Sequence, residues 1–117
     1  MANLDRNSTV LISMLEEINF LEDYIKDFDY DYYIKSEEKR RTVAMTLINI
    51  GELVRHLTKD FRKEHHDVPF SDVLGLRDVA AHGYKALRFD FIWNLLQSDI
   101  PDLKSKIKEI LKKTKDK

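Results

Sequence analysis

The sequence predicts an all-α fold: an up-and-down bundle of four to five helices, built as one domain over residues 1–117. Three observations carry that expectation. Apolar residues recur at steps of three and four through several long stretches, the spacing that places them on one face of a helix. Only three Gly and two Pro occur in the chain, too little turn chemistry for a many-stranded protein. Hydrophobic residues make up 43% and charged residues 35%, enough of each for helices with one buried and one solvated face.

Taken in order, Asn7 and Ser8 are candidate helix caps, and Leu11, Met14, Ile18, Leu21, Ile25 and Phe28 form the apolar stripe behind them. Phe28-Asp29-Tyr30-Asp31-Tyr32-Tyr33 then reads as an acidic, aromatic connector. Flanking aspartates argue against stacking on bases, so packing at a helix corner or against a partner is the better reading. Ser36 with Glu37 and Glu38 starts a second helix, whose inner face is Val43, Leu47, Ile50, Val54 and Leu57. Lys39-Arg40-Arg41 sits in its first turns, where the helix dipole disfavours cations; the triplet is either a solvated run or is kept for a partner or a phosphate. Gly51 costs about 1 kcal/mol in mid-helix relative to alanine, which close approach of another helix would explain, and Glu52 beside it is placed to pair with a cation such as Arg77.

Residues 58–68 read as an exposed loop or frayed helix end. Pro69 opens a short helix with Val73, Leu76 and Ala80 inward, and Gly83 is placed to end it in a left-handed conformation. Helical text resumes at Arg88–Leu96 with Phe91, Leu95 and Trp93 inward. Asp99-Ile100-Pro101 marks a stop and a restart, and a lysine-rich last helix turns Leu103, Ile107, Ile110 and Leu111 to the core before its tail frays.

Several function classes are excluded or weakened by composition. Cysteine is absent, so neither a disulfide framework, a thiolate metal site nor a cysteine nucleophile is available. Formal net charge is −1, which argues against a strong, sequence-independent grip on nucleic acid and makes any RNA contact local. The first residues lack a basic segment followed by an apolar core, and no apolar run approaches the roughly 20 residues that span a bilayer. A soluble, cytoplasmic protein with no membrane partner is the expectation.

Chemistry concentrates in Leu76-Arg77-Asp78-Val79-Ala80-Ala81-His82-Gly83-Tyr84, a run with the spacing R-x4-H-x-Y. Histidine changes charge near neutral pH and arginine is a permanent, forked cation suited to phosphate, so together they fit phosphodiester chemistry that needs neither metal nor cofactor. In an unbroken helix His82 would sit about 140° round from Arg77. Unwinding at Gly83 would let His82 and Tyr84 turn toward a shared cleft, with Ala80 and Ala81 leaving room. From spacing alone an inert network of the same three side chains stands equally open.

Gly75-Leu76-Arg77-Asp78 followed by Ala81-His82-Gly83-Tyr84 resembles the signature of the HepT-like branch of the HEPN superfamily, small all-helical ribonuclease toxins. Ile50-Gly51-Glu52-Leu53 resembles its upstream Gly-Glu pair, and Pro69-Phe70 its Pro-aromatic entry to the motif helix. The resemblance implies a HEPN-like bundle forming a two-fold dimer, and a metal-independent endoribonuclease with Arg77 and His82 catalytic and Asp78 orienting one of them. It further implies a cognate minimal nucleotidyltransferase antitoxin that silences the toxin by placing AMP on Tyr84. Lys85 and Arg88 are candidate contacts to substrate phosphates. Two other readings stay open: a non-catalytic helical module that docks with, or is modified by, such a nucleotidyltransferase, and a metal enzyme built on His65 and His66. The last is weakened because consecutive helical residues diverge by about 100° and no HExxH spacing is present.

Overall fold

The computed structural model describes residues 5–80 and 82–115, so Ala81 and the last two residues of the lysine tail lie outside the described residues. It is all-helical: α1 (Arg6–Ile25), α2 (Tyr30–Lys35), α3 (Glu37–Arg55), α4 (Lys59–Glu64), α5 (Phe70–Ala80), a 3-10 turn over Tyr84–Ala86, α6 (Phe89–Gln97) and α7 (Asp99–Lys115). No strand occurs among the described residues, and none of their helices is long and apolar enough to cross a membrane.

The expected apolar stripes fill one core. Leu11, Met14, Ile18 and Leu21 of α1 meet Val43, Leu47, Ile50 and Val54 of α3, Val73 and Leu76 of α5, and Leu103 and Ile107 of α7, all buried. Helix α1 runs antiparallel to α3: Asn49 donates to Glu17 at 3.1 Å, and Arg6 at the start of α1 donates to the His56 carbonyl at the end of α3, 2.9 Å away. Lys104 of α7 pairs with Glu22 of α1 at 2.6 Å.

Several local expectations change for identifiable reasons. Asp5, not Asn7 or Ser8, caps α1, its carboxylate accepting the Ser8 N–H at 2.7 Å. The aromatic connector contains a short helix, α2, because Asp29 accepts the Tyr32 N–H. Its Tyr33 is fully buried and donates to the Phe89 carbonyl at 3.0 Å, while Phe28, Tyr30, Tyr33 and Trp93 pack ring against ring. This is corner packing, as the aspartates implied. Thr58 caps α4, turning most of the expected loop into helix. In α6 the inward residues are Ile92, Leu95 and Leu96, with Trp93 half-buried; Phe91 is 52% exposed, since α6 starts at Phe89 and its apolar face falls one residue later than expected. Helix α7 begins at Asp99, ahead of Pro101, because Ile100 is drawn into the core.

Candidate active site

Helices α3 and α5 are the platform of the motif, and their separation is set by one residue. A methyl group on Gly51 would lie 2.8 Å from the Arg77 Cβ and 2.9 Å from the Val73 carbonyl oxygen, closer than such atoms can approach. Glycine there allows the two backbones to meet, the reason anticipated for tolerating it in mid-helix.

That closeness delivers Arg77 to Glu52. The Arg77 Nε donates to the Glu52 carboxylate, and Nη1 donates to Asp78 Oδ1 at 3.2 Å. Arg77 is partly sheltered, with 28% of its side chain exposed. The hydrogen bond from Arg77 holds the Glu52 carboxyl below its ordinary value, and the bonds to Glu52 and then Asp78 push the guanidinium further up. Of the two roles open to Asp78, its hydrogen bond is to Arg77. The Nη2 nitrogen is bonded to none of the described residues, so its N–H groups are left for a ligand.

Past Ala80 the helix loosens. The His82 N–H reaches back to the Val79 carbonyl at 3.0 Å and the Gly83 N–H to that of Ala80 at 2.9 Å, both three-residue turns rather than α-helical bonds. Gly83 then takes φ 121° and ψ 150°, a conformation open essentially to glycine alone. The left-handed helical cap expected there is therefore replaced by an extended, positive-φ residue three positions beyond the helix end. His82 is exposed on this turn.

Tyr84 follows in the 3-10 turn. Its ring packs on Phe89 at 5.0 Å between centroids and lies under the Arg41 guanidinium at 4.3 Å. Its hydroxyl is buried and has no hydrogen-bond partner among the described residues. Lys85 and Arg88 are exposed, and Arg88 pairs with Asp90 at 3.2 Å.

The structure thus brings Arg77, Asp78 and Glu52 together and sets His82 on the adjoining turn, but Tyr84 keeps different company. Arg77 and Tyr84 meet α3 at Glu52 and Arg41, eleven residues apart, which is about 16 Å along a helix. The sequence reading missed Arg41 as a neighbour of Tyr84. The one signal was the cationic triplet at the start of α3. Of the remaining histidines, His65 packs against Phe61 with tilted rings 4.4 Å apart and His66 bonds the Lys63 carbonyl, while His56 caps the C-terminus of α3.

Comparison with known proteins gives a consistent result. The family model described as "Ribonuclease HepT-like" matches residues 14–110, a span that contains the whole platform. A protein of Caldanaerobacter subterraneus subsp. tengcongensis named "Putative RNase" is 34% identical over 102 residues, covering 87% of this chain and 91% of its own length. One of the same name from Methanocaldococcus jannaschii is 31% identical, covering 83% and 89%. A "Probable ribonuclease HepT" of Thermococcus cleftensis is 24% identical, covering 87% and 93%. No solved structure matches the chain.

Proposed function

Because the chain belongs to the ribonuclease HepT-like family, we propose that it is a metal-independent endoribonuclease, the toxin of a toxin-antitoxin pair acting in the cytoplasm. RNA carries its own nucleophile, the 2′-hydroxyl, so the protein need supply only proton transfer and positive charge at the reacting phosphate. His82, exposed on the turn after α5, takes the first role; Arg77, through its free Nη2, takes the second. Asp78 and Glu52 orient the guanidinium. The single observation that carries this reading is the Glu52–Arg77–Asp78 network, which fixes a cation on the helix that leads into the turn carrying the exposed His82.

One histidine provides half of an acid–base pair, and a two-fold homodimer would provide the other. Val79 on α5 and Met45 on α3 expose apolar side chains, 42% and 58% accessible, on the two helices that carry the motif. These are the residues a second copy would cover. The proposal includes silencing by a nucleotidyltransferase antitoxin that places AMP on Tyr84, as the family resemblance implies. Because the Tyr84 hydroxyl is buried, that transfer requires the packing of Arg41 and Phe89 over the ring to open. Once attached, the phosphate would add negative charge and bulk beside the motif.

The test is RNA cleavage in EDTA. Wild type is expected to cleave, and His82→Ala to lose about 10²–10⁴-fold in rate. Equal background cleavage by both would remove the enzyme and leave the non-catalytic module that docks with a nucleotidyltransferase.

A further inference from the structure

The cations at the start of α3 gain nothing from the helix dipole, and Lys39 is accounted for by the rings of Tyr24 and Phe28, which it overlies at 4.8 and 5.1 Å. Lys39, Arg40 and Arg41 occupy its first turns, where each opposes the dipole. Arg40 donates one bond, to the Ile34 carbonyl, and its Nε is buried without a partner among the described residues. Its guanidinium lies over Phe89 at 5.3 Å, as that of Arg41 lies over Tyr84. The Arg41 side chain is 57% exposed, held on one face by the Tyr84 ring and along one edge by Glu37 Oε1, which both Nε and Nη2 reach. Lys85, exposed, follows Tyr84 on the turn that Arg41 overlies, and Arg41, then Arg40 and Lys85, hold the Glu37 carboxyl below its ordinary value.

Two arginines ordered by aromatic faces, Arg41 exposed and Arg40 adding charge behind it, suit an anion with several oxygens. Position says which anion. The cluster meets α3 about 16 Å from the Arg77 contact, too far to share one phosphate with it, while His82 is only two residues from Tyr84, at most about 7.6 Å from Cα to Cα. A strand passing His82 would meet Arg77 at one phosphate and Arg41 at another.

We propose that Arg41, backed by Arg40 and Lys85, is a second phosphate-binding subsite, which takes a phosphodiester flanking the scissile one and so fixes the register of the RNA strand on His82. This subsite rests on the nuclease reading above. It also reconciles a chain of net charge −1 with RNA binding, because the cations that matter are gathered on one edge.

The experiment measures binding of a short single-stranded RNA oligonucleotide to the full chain carrying His82→Ala, so that the RNA survives, across a salt titration. Adding Arg41→Gln is expected to weaken binding about tenfold at low salt and to reduce the slope of log K against log salt by about 0.7, the loss of one phosphate contact. Arg41→Lys, which keeps the charge, should retain the slope. Lys112→Gln, a cation on the far part of α7, should change neither. In the cleaving protein Arg41→Gln should raise KM more than it lowers kcat. An unchanged slope with Arg41→Gln, or an equal loss with Lys112→Gln, overturns the subsite even if wild type cleaves. Failure of wild type to cleave, with the Arg41→Gln slope loss intact, overturns the nuclease and leaves the subsite standing.

Discussion

The motif spans two regions built in opposite ways. On the α3–α5 seam, Arg77 is held by backbone contact at Gly51 and by two carboxylates; on the turn beyond Ala80, His82 is exposed and Gly83 has none of the described residues within 4 Å of where a Cβ would stand. In the proposed reaction, the charge assigned to the phosphate is fixed by packing, whereas the group assigned to proton transfer is exposed. Stability and activity should therefore respond separately to changes in the two regions.

A matched pair of glycine substitutions gives the largest effects. Gly51→Ala drives a methyl into the Arg77 side chain and the Val73 carbonyl, and should cost about 1–3 kcal/mol, reduced by the better helix propensity of alanine. Thermal melting should show a clear fall in Tm, with activity falling as Arg77 is displaced. Gly83→Ala meets no atom but must leave φ 121°, so the turn re-forms. Its Tm should fall less than that of Gly51→Ala, while kcat/KM falls at least about tenfold as His82 is re-aimed. If Gly83→Ala instead destabilises as strongly as Gly51→Ala, the turn is as tightly held as the seam and the contrast is lost.

Glu52 tests the electrostatic part of the seam. Its folded-state value is lowered by Arg77, so the pairing contributes stability that is fully present above the unfolded value of 4.5 and is lost as pH falls through the folded one. Wild type should exceed Glu52→Gln in stability at pH 7, with the difference shrinking below about pH 4.5 and vanishing once Glu52 is protonated. Urea unfolding of both proteins at pH 7, 4 and 3 measures it. A difference constant with pH would mean that Glu52 acts through packing rather than charge.

How far these regions could be read from the sequence follows from the range of the interactions involved. Periodicity located α1, α3, α5 and α7 because burial on one helix face is a local pattern, and Gly51 with Glu52 was legible because a mid-helix glycine demands a reason. Short helices α2 and α4 were missed: each depends on one cap, Asp29 or Thr58, and too few residues follow for a period to register. Phe91 was placed inward because its face depends on where α6 begins, and Arg88, its cap, makes no capping hydrogen bond to mark the start. The meeting of Arg41 with Tyr84 joins residues forty-three apart through the antiparallel return of α5 on α3. No spacing rule within one segment could supply it, and the cations in the first turns of α3 gave a signal that a solvated charge run would give equally.

The smallest predicted effect concerns the second glycine of the seam helices. Gly75 lies within α5, yet unlike Gly51 it has open space where a side chain would go, so nothing among the described residues requires it. Gly75→Ala should then raise stability by about 0.4–1 kcal/mol, mainly by restricting the unfolded chain, as a modest rise in Tm at low protein concentration. The same substitution measured by sedimentation reads the other face of the comparison. If the chain self-associates and Gly75→Ala weakens that association while stabilising the monomer, the space beside Gly75 is filled by a second copy, and the seam that fixes Arg77 extends across the dimer. A gain in stability with association unchanged would place the second copy elsewhere, on the exposed side chains of Met45 and Val79 alone.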